Sequence, residues 1–168
     1  MAPESARQSP PAGRPPQPPS PSPPARRPAP APATGYSGTP LPGKLGIKAG
    51  HTVALIDAPP GFGDSLAPLP DLVTVQDGPA GGVPLDVIVW FVVSHAELAA
   101  RLGSLRARMA PACGLWIAWP KRASKVRTDM TEHVVREIAL PTGLVDNKVC
   151  AIDQVWSGLR LVIRRELR

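Results

Sequence analysis

The distribution of proline restricts folding to the part of the chain after residue 35. Thirteen of the 24 prolines fall within residues 1–35, a stretch without any Leu, Ile, Val, Phe, Trp or Tyr. Such a segment has no large side chains to bury, so it cannot offset the roughly 1–2 kcal/mol of entropy that ordering each residue costs. We therefore predict a disordered arm rich in Pro, Ala and Arg over residues 1–35, with local polyproline II character.

The residues that follow the arm have the length and composition of one folded domain. Of the 168 residues, 168 − 35 = 133 remain, which fits the usual single-domain size of about 100–150 residues. The longest apolar run, residues 87–93, is far shorter than the ~20 residues that a membrane-spanning helix needs. The amino terminus has no apolar signal region. We predict a single domain over residues 36–168 in a cytoplasmic protein without membrane contact.

Short apolar segments predict six strands. The first is nearly continuous in apolar character, as expected for a strand covered on both faces, and the third reads as a fully buried strand. The last alternates apolar and polar residues, which indicates an edge or antiparallel strand. The predicted strands span residues 51–57, 72–76, 86–93, 114–119, 148–153 and 156–165.

Two segments predict amphipathic helices. In the first, Ser94 and Glu97 have the spacing of a capping box, and an apolar stripe follows at helical spacing: Leu98, Leu102, Leu105 and Met109. In the second, Asp129 and Glu132 repeat the capping pattern, ahead of a stripe formed by Met130, Val134 and Ile138. Residues 64–69 form at most one helical turn.

Strands that alternate with helices predict an α/β domain with a small, mostly parallel, Rossmann-like sheet. Between Asp153 and Trp156 there are too few residues for a crossover helix, so the sheet should end in an antiparallel hairpin. This order is that of the Rossmann-like methyltransferases in abbreviated form. Only a short loop precedes Asp86, so one helix–strand–helix unit of that fold is missing.

Three segments carry a resemblance to a known family. They read YSGTPLPGKLGIKAG, WPKRASKVRTDMTEHVVREIALPTGLVDNKVCAID and WSGLRLVIRR. Together they resemble the bacterial domain-of-unknown-function family 3052, over about residues 36–165. The resemblance implies a small bacterial domain, and it transfers no catalytic residues.

The main candidate site is a basic loop after the fourth predicted strand. It combines four cations with two hydroxyls: Lys121, Arg122, Lys125 and Arg127 with Ser124 and Thr128. In open α/β sheets, ligands bind at the carboxyl ends of the strands. Cations and hydroxyls just ahead of a helix start suit a phosphate or a carboxylate. The alternative is a solvated charged loop without a ligand.

Two acids mark a second candidate at the same edge. Asp57 and Asp77 end the first two predicted strands, where Rossmann-like enzymes place an acid that binds ribose hydroxyls. The sequence around Asp77 is equally typical of a turn. The loop between the first strand and its helical turn, residues 58–63, lacks the G-x-G-x-x-G pattern, and Pro59 and Pro60 remove two backbone donors. S-adenosylmethionine is therefore possible as a cofactor, but we do not favour it.

The charge distribution and the two cysteines bear on whether the domain has a basic region or a metal site. The net charge of +6 is divided along the chain: residues 36–100 have two bases and six acids, whereas residues 101–168 have thirteen bases and six acids. Cys113 and Cys150 lie in apolar runs, and neither has a histidine at ligand spacing. We therefore expect buried, inert thiols and no metal site.

Three functions remain open. We favour a non-catalytic binding or regulatory module whose basic loop holds an anionic small molecule or a partner protein. The second is a degenerate S-adenosylmethionine-dependent methyltransferase-like enzyme. The third is a protein that binds nucleic acid weakly and without sequence specificity, through the arginines of the arm and the basic loop.

Overall fold

The computed structural model describes residues 39–168, together with Gly13 and Pro16. Nearly all of the predicted arm therefore lies outside the described residues. Six strands within residues 39–168 form one sheet in the order β2-β1-β3-β4-β6-β5. The strands are β1 Thr52–Ile56, β2 Thr74–Asp77, β3 Leu85–Phe91, β4 Met109–Pro120, β5 Leu144–Ala151 and β6 Trp156–Ile163.

The strand directions confirm the predicted fold class. β1 pairs in parallel with both β2 and β3, and β3 pairs in parallel with β4. β6 runs antiparallel to β4 on one side and to β5 on the other. The carboxylate of Asp153 accepts hydrogen bonds from the backbone N–H groups of Val155 and Trp156 at 2.7 and 2.8 Å, and thereby closes the β5–β6 hairpin.

In the described part of the chain, four helices cover the sheet on two faces. They are α1 Leu41–Leu45, α2 Phe62–Ser65, α3 His95–Arg106 and α4 Glu132–Ala139. Three short 3-10 turns span Arg122–Ser124, Leu140–Thr142 and Arg165–Leu167. None of the helices in the described part of the chain has the length and apolar character needed to cross a membrane.

Each sheet face carries its own apolar core, because successive strand residues point to opposite faces. Trp90 and Trp119 belong to the core under α3 and α4, whereas Trp116 belongs to the core under α1 and α2. The indole N–H of Trp116 is buried and donates to the carbonyl of Leu45 at 3.0 Å, which fixes α1 on the sheet.

Several local predictions need correction. The helical spacing predicts Met109 in the α3 stripe, but α3 ends at Arg106 and Met109 begins β4, where it pairs with Leu85 of β3. The α4 cap is Thr131, whose hydroxyl accepts from the Val134 N–H at 3.1 Å, because the Asp129 carboxylate is bound to another element. The turn-rich segment before β1 also contains a helix, α1, which buries Leu41 and Leu45.

The connection from β2 to β3 consists of residues 78–84 and contains no helix. This agrees with the predicted loss of a helix–strand–helix unit. Arg108, just beyond α3, fixes this loop by donating to the carbonyls of Pro79 and Val83 at 3.1 and 3.0 Å. A loop of this length covers less of the sheet than a helix does, and β2 is mostly exposed.

Candidate functional site

All eight predicted site residues lie near the carboxyl ends of the parallel strands, and seven of them are divided between two clefts. The four cations and Thr128 line a cleft of about 650 Å³ beyond β4, which we call the basic cleft. Asp57 and Asp77 line a separate cleft of about 420 Å³ beyond β1 and β2, which we call the acidic cleft. Ser124 supports the basic loop without lining the cleft.

The basic loop is held in shape by its own hydroxyl and by one left-handed residue. It turns through Arg122–Ser124, and Lys125 follows with φ 58°. The Ser124 hydroxyl donates to the carbonyl of Lys121 at 2.6 Å and accepts from the Val126 N–H at 3.3 Å. Ser124 is therefore already bonded within the loop and does not serve as a ligand donor.

Two contacts tie the far end of the loop to the start of α3. The Thr128 hydroxyl donates to the carbonyl of Val93 at 2.7 Å and accepts from the Met130 N–H at 3.0 Å. The Asp129 carboxylate accepts from the His95 N–H at 2.7 Å, at the first residue of α3. The hydroxyl of Thr128 and the carboxylate of Asp129 therefore stabilise the wall of the cleft.

The four cations differ in whether their charge has a partner. The ammonium of Lys121 is half-buried and donates to the carbonyl of Asp153 at 2.7 Å. Arg122, Lys125 and Arg127 are exposed, and within residues 39–168 none of them makes a side-chain hydrogen bond or an ion pair. The acid Glu132, which also lines the cleft, is paired with Arg136. The basic cleft therefore has three cations available for a ligand.

The acidic cleft joins the ends of two neighbouring strands. Leu55 of β1 pairs with Asp77 of β2, and Asp57 follows two residues later with φ 52°. The N–H of Gly78 donates to the carbonyl of Leu55 at 2.7 Å, so both acids leave the sheet at one place. Asp77 is the last residue of β2, and Asp57 comes directly after β1, the neighbouring strand.

Arg101 of α3 also lines the acidic cleft, which the sequence does not predict. Its guanidinium binds the carboxylates of Asp57 at 3.0 Å and Glu97 at 2.8 Å, and lies 5.2 Å from the ring centroid of Trp90. Desolvation lowers the pKa of Arg101, but the hydrogen bonds to both carboxylates and their attraction outweigh this and raise that pKa overall. The Glu97–Arg101 spacing of four residues was the one available signal.

The loop after β1 forms a tight turn. The N–H of Phe62 donates to the carbonyl of Pro59 at 3.1 Å, and Gly61 adopts φ 80° immediately before α2. Because α2 contains only four residues and Pro59 and Pro60 lack N–H groups, the turn offers few backbone donors to a phosphate.

Neither cysteine is placed as a nucleophile. Cys113 is fully buried, and burial raises the pKa of its thiol to about 12. Burial also raises the pKa of the half-buried Cys150 thiol. Both thiols therefore remain protonated near neutral pH. Among the described residues, no three His, Cys, Asp or Glu side chains are grouped so that they could hold a metal ion.

Comparisons with known proteins address the fold. No protein-family model matches the sequence, and a search of curated proteins gives no match. The resemblance to family 3052 therefore stays a prediction.

Solved structures similar to this domain include several methyltransferases. A proposed methyltransferase from Thermoplasma acidophilum is 7% identical, over 72% of this chain and 71% of its own, with a TM-score of 0.50. A SAM dependent methyltransferase from Aquifex aeolicus is 17% identical, over 72% and 87% of the two chains, with a TM-score of 0.49. Magnesium protoporphyrin IX methyltransferase from Synechocystis PCC 6803 is 14% identical, over 73% of this chain and 74% of its own, with a TM-score of 0.49. At such identities, the likeness concerns the fold.

Proposed function

We propose that this domain is a non-catalytic binding module whose basic cleft holds a small anionic molecule carrying phosphate groups. The observation that carries the proposal is a cleft of about 650 Å³ lined by three cations that have no partner within residues 39–168: Arg122, Lys125 and Arg127. A cleft of this volume lies within the size range of small-molecule sites.

The surroundings of the cleft support an anionic ligand. The two acids in its wall are both engaged: Asp129 accepts from the His95 N–H, and Glu132 is paired with Arg136. Their negative charge is thereby partly compensated, whereas the three exposed cations face solvent. Charge-assisted hydrogen bonds from arginine to phosphate are stronger than neutral ones and are often bidentate. The arrangement therefore favours phosphate groups over neutral ligands.

The test is a thermal-shift and calorimetric screen of the full chain with pyrophosphate and ATP. A ligand that binds only the folded state raises the melting temperature by mass action. The variant Arg122→Gln/Lys125→Gln/Arg127→Gln should lose most of that shift. Lys121 stays unchanged in this variant, because its ammonium also supports the fold through Asp153.

A matched control removes two exposed cations elsewhere, Arg164→Gln/Arg165→Gln. The control should keep the shift at equal ionic strength. Equal losses in both variants would reduce the effect to general electrostatics and contradict a site in the basic cleft. Binding of a DNA duplex in place of small anions, with a steep loss in salt, would favour the nucleic-acid hypothesis instead.

A second candidate function is binding of S-adenosylmethionine in the acidic cleft. One observation favours it: Asp57 and Asp77 meet at the ends of adjacent parallel strands, where Rossmann-like folds bind a ribose. Against it, Arg101 already binds the Asp57 carboxylate, and α2 is too short to offer a developed helix amino terminus. Calorimetry with S-adenosylmethionine and the variant Asp77→Ala tests this candidate. Absence of heat at millimolar ligand would end it.

A further inference from the structure

A third polar cavity lies at the opposite edge of the sheet, where β1 and β3 begin. Its volume is about 330 Å³, and it is more enclosed than the two clefts at the carboxyl edge. Its wall combines the connection between α1 and β1 with residues of three strands: Gly46, Lys48, His51, Asp86, Ala112 and Arg160. The carboxyl-edge clefts contain none of these residues.

Arg160 is the unusual member of this cavity. It lies on β6, opposite Trp116 of β4 and Lys148 of β5, and is half-buried. Within residues 39–168 its guanidinium makes no hydrogen bond and no ion pair. Burial lowers the pKa of Arg160; Cys113 opposes this effect, and the charge of Arg168 adds to it. A partly desolvated cation beside another cation is unfavourable unless an anion compensates it.

A glycine gives the Arg160 side chain its space. Gly114 of β4 lies directly beside the guanidinium, and a Cβ at residue 114 would be 2.5 Å from Nε of Arg160. Any other residue at this position would push the guanidinium aside. A glycine in a strand interior weakens the strand and often marks a close approach of another group, and here that group is the unpaired cation.

The other polar residues of the wall determine which ligand charge the cavity favours. The Nδ1 atom of His51 accepts a hydrogen bond from the Lys48 N–H at 3.2 Å, so the ring in its neutral form carries its proton on Nε2. One oxygen of Asp86 accepts from the Thr52 N–H at 2.8 Å. Lys48 and Arg160 are positive and Asp86 is negative, so these three side chains together carry a net formal charge of +1.

We propose that this cavity binds a small monocarboxylate, whose two oxygens are held by the guanidinium of Arg160. The planar fork of arginine matches a carboxylate in a bidentate geometry. A single negative charge balances the net charge of the wall, whereas a dianion such as sulfate would leave an excess negative charge next to Asp86. The volume lies at the lower end of the range for ligand sites, which suits a molecule of a few carbon atoms.

The test observes Arg160 directly in the ¹⁵N-labelled full chain. Propionate is titrated at constant ionic strength, with chloride as the balancing anion, while the arginine Nε–Hε resonances are followed by NMR. We expect a saturable shift of the Arg160 resonance, which the Arg160→Gln spectrum identifies. Arg160→Gln should weaken propionate binding about tenfold or more, because a charged hydrogen-bonding partner is lost.

Two further variants separate binding from folding. Gly114→Ala keeps the guanidinium but displaces it, and should also weaken propionate binding about tenfold while the sheet remains folded. Arg165→Gln removes an exposed arginine outside the cavity, and should bind propionate as the unchanged chain does. The Arg122→Gln/Lys125→Gln/Arg127→Gln variant should also retain propionate binding, so this proposal can fail independently of the basic cleft.

Three outcomes would overturn the proposal. The first is the absence of a saturable shift with tens of millimolar propionate. The second is equal or tighter binding of sulfate at the same cavity, which would contradict the preference for a monoanion. The third is unchanged propionate affinity in folded Gly114→Ala, which would show that the position of the guanidinium does not matter.

Discussion

The two clefts at the carboxyl edge of the sheet form in the same way, but they differ in whether their cations are paired with acids. Both form where parallel strands end, and both contain acids and bases. In the acidic cleft, Arg101 binds Asp57 and Glu97, so its positive charge is compensated. In the basic cleft, Arg122, Lys125 and Arg127 have no partner in the part of the chain that the structure describes.

This difference shows that the position of a polar side chain in a cleft does not determine whether it is free to bind a ligand. The fold brings polar side chains to the carboxyl edge in both clefts. Contacts between distant parts of the chain then determine which charges remain for a ligand. Variants can separate a cation that supports the fold from one that is free, since their effects on stability should differ.

The largest expected effect concerns the contact between the basic loop and α3. Asp129→Ala removes the carboxylate that accepts from the His95 N–H at 2.7 Å. Loss of a charged acceptor at a helix amino terminus should lower the free energy of unfolding by about 1–2 kcal/mol. Urea denaturation measures this change. Asp129→Asn keeps an acceptor and should recover part of the loss; an Ala variant as stable as the unchanged chain would show that the contact contributes nothing.

A smaller effect is expected in the acidic cleft. Arg101→Met removes two ion pairs and the contact with Trp90. The side chains of Arg101 and Asp57 are 40% and 53% exposed, so solvent screens their attraction. The expected loss in the free energy of unfolding is about 1 kcal/mol, including the cation–π contact. Because salt screens exposed charges, the difference should shrink in high salt; a salt-independent loss would assign the effect to packing.

The variant Lys121→Met tests a cation that is engaged within the basic cleft. Loss of the hydrogen bond to the Asp153 carbonyl should lower the free energy of unfolding by about 0.5–1 kcal/mol. Its affinity for pyrophosphate should fall less than that of Arg122→Gln, because the Lys121 ammonium is already bonded. Calorimetry on both variants makes the comparison, and a larger loss of affinity in Lys121→Met would reverse our assignment of the free cations.

The smallest effect on stability is expected for the three free cations. Arg122→Gln/Lys125→Gln/Arg127→Gln should change the free energy of unfolding by less than about 0.5 kcal/mol, as is usual for exposed substitutions without partners. Removing like charges also removes their mutual repulsion. Thermal and urea denaturation measure this change, and a marked loss of stability would mean that these side chains have partners within the fold.

The strands and their order could be predicted from the sequence, because buried strands are continuous apolar segments. Their ends could not, since pairing extends beyond the apolar run. β4 begins at Met109 rather than at residue 114, because Met109 pairs with Leu85 on the neighbouring strand. Met109 also fits the helical spacing of the α3 stripe, so periodicity alone assigned it to the wrong element.

The location of the basic loop could be predicted from the sequence, but the hydrogen-bond and ion-pair partners of the site residues could not. The cations of the loop after β4 were expected at the carboxyl edge, and the structure places them there. Their partners lie far away in sequence: Lys121 binds a carbonyl 32 residues away, Asp129 binds an N–H 34 residues away, and Arg101 binds an acid 44 residues away. No local pattern encodes such contacts, because they depend on how the strands are ordered in the sheet.

The helix-free connection between β2 and β3 has a consequence for motion at one end of the sheet. Within residues 39–168, β2 pairs only with β1, is mostly exposed and is followed by a loop that two hydrogen bonds from Arg108 hold. Regions with few buried apolar contacts open at the lowest free energy, without unfolding of the remainder. The backbone amides of β2 should therefore exchange with solvent faster than those of β3, and the wall that carries Asp77 separates from the sheet first.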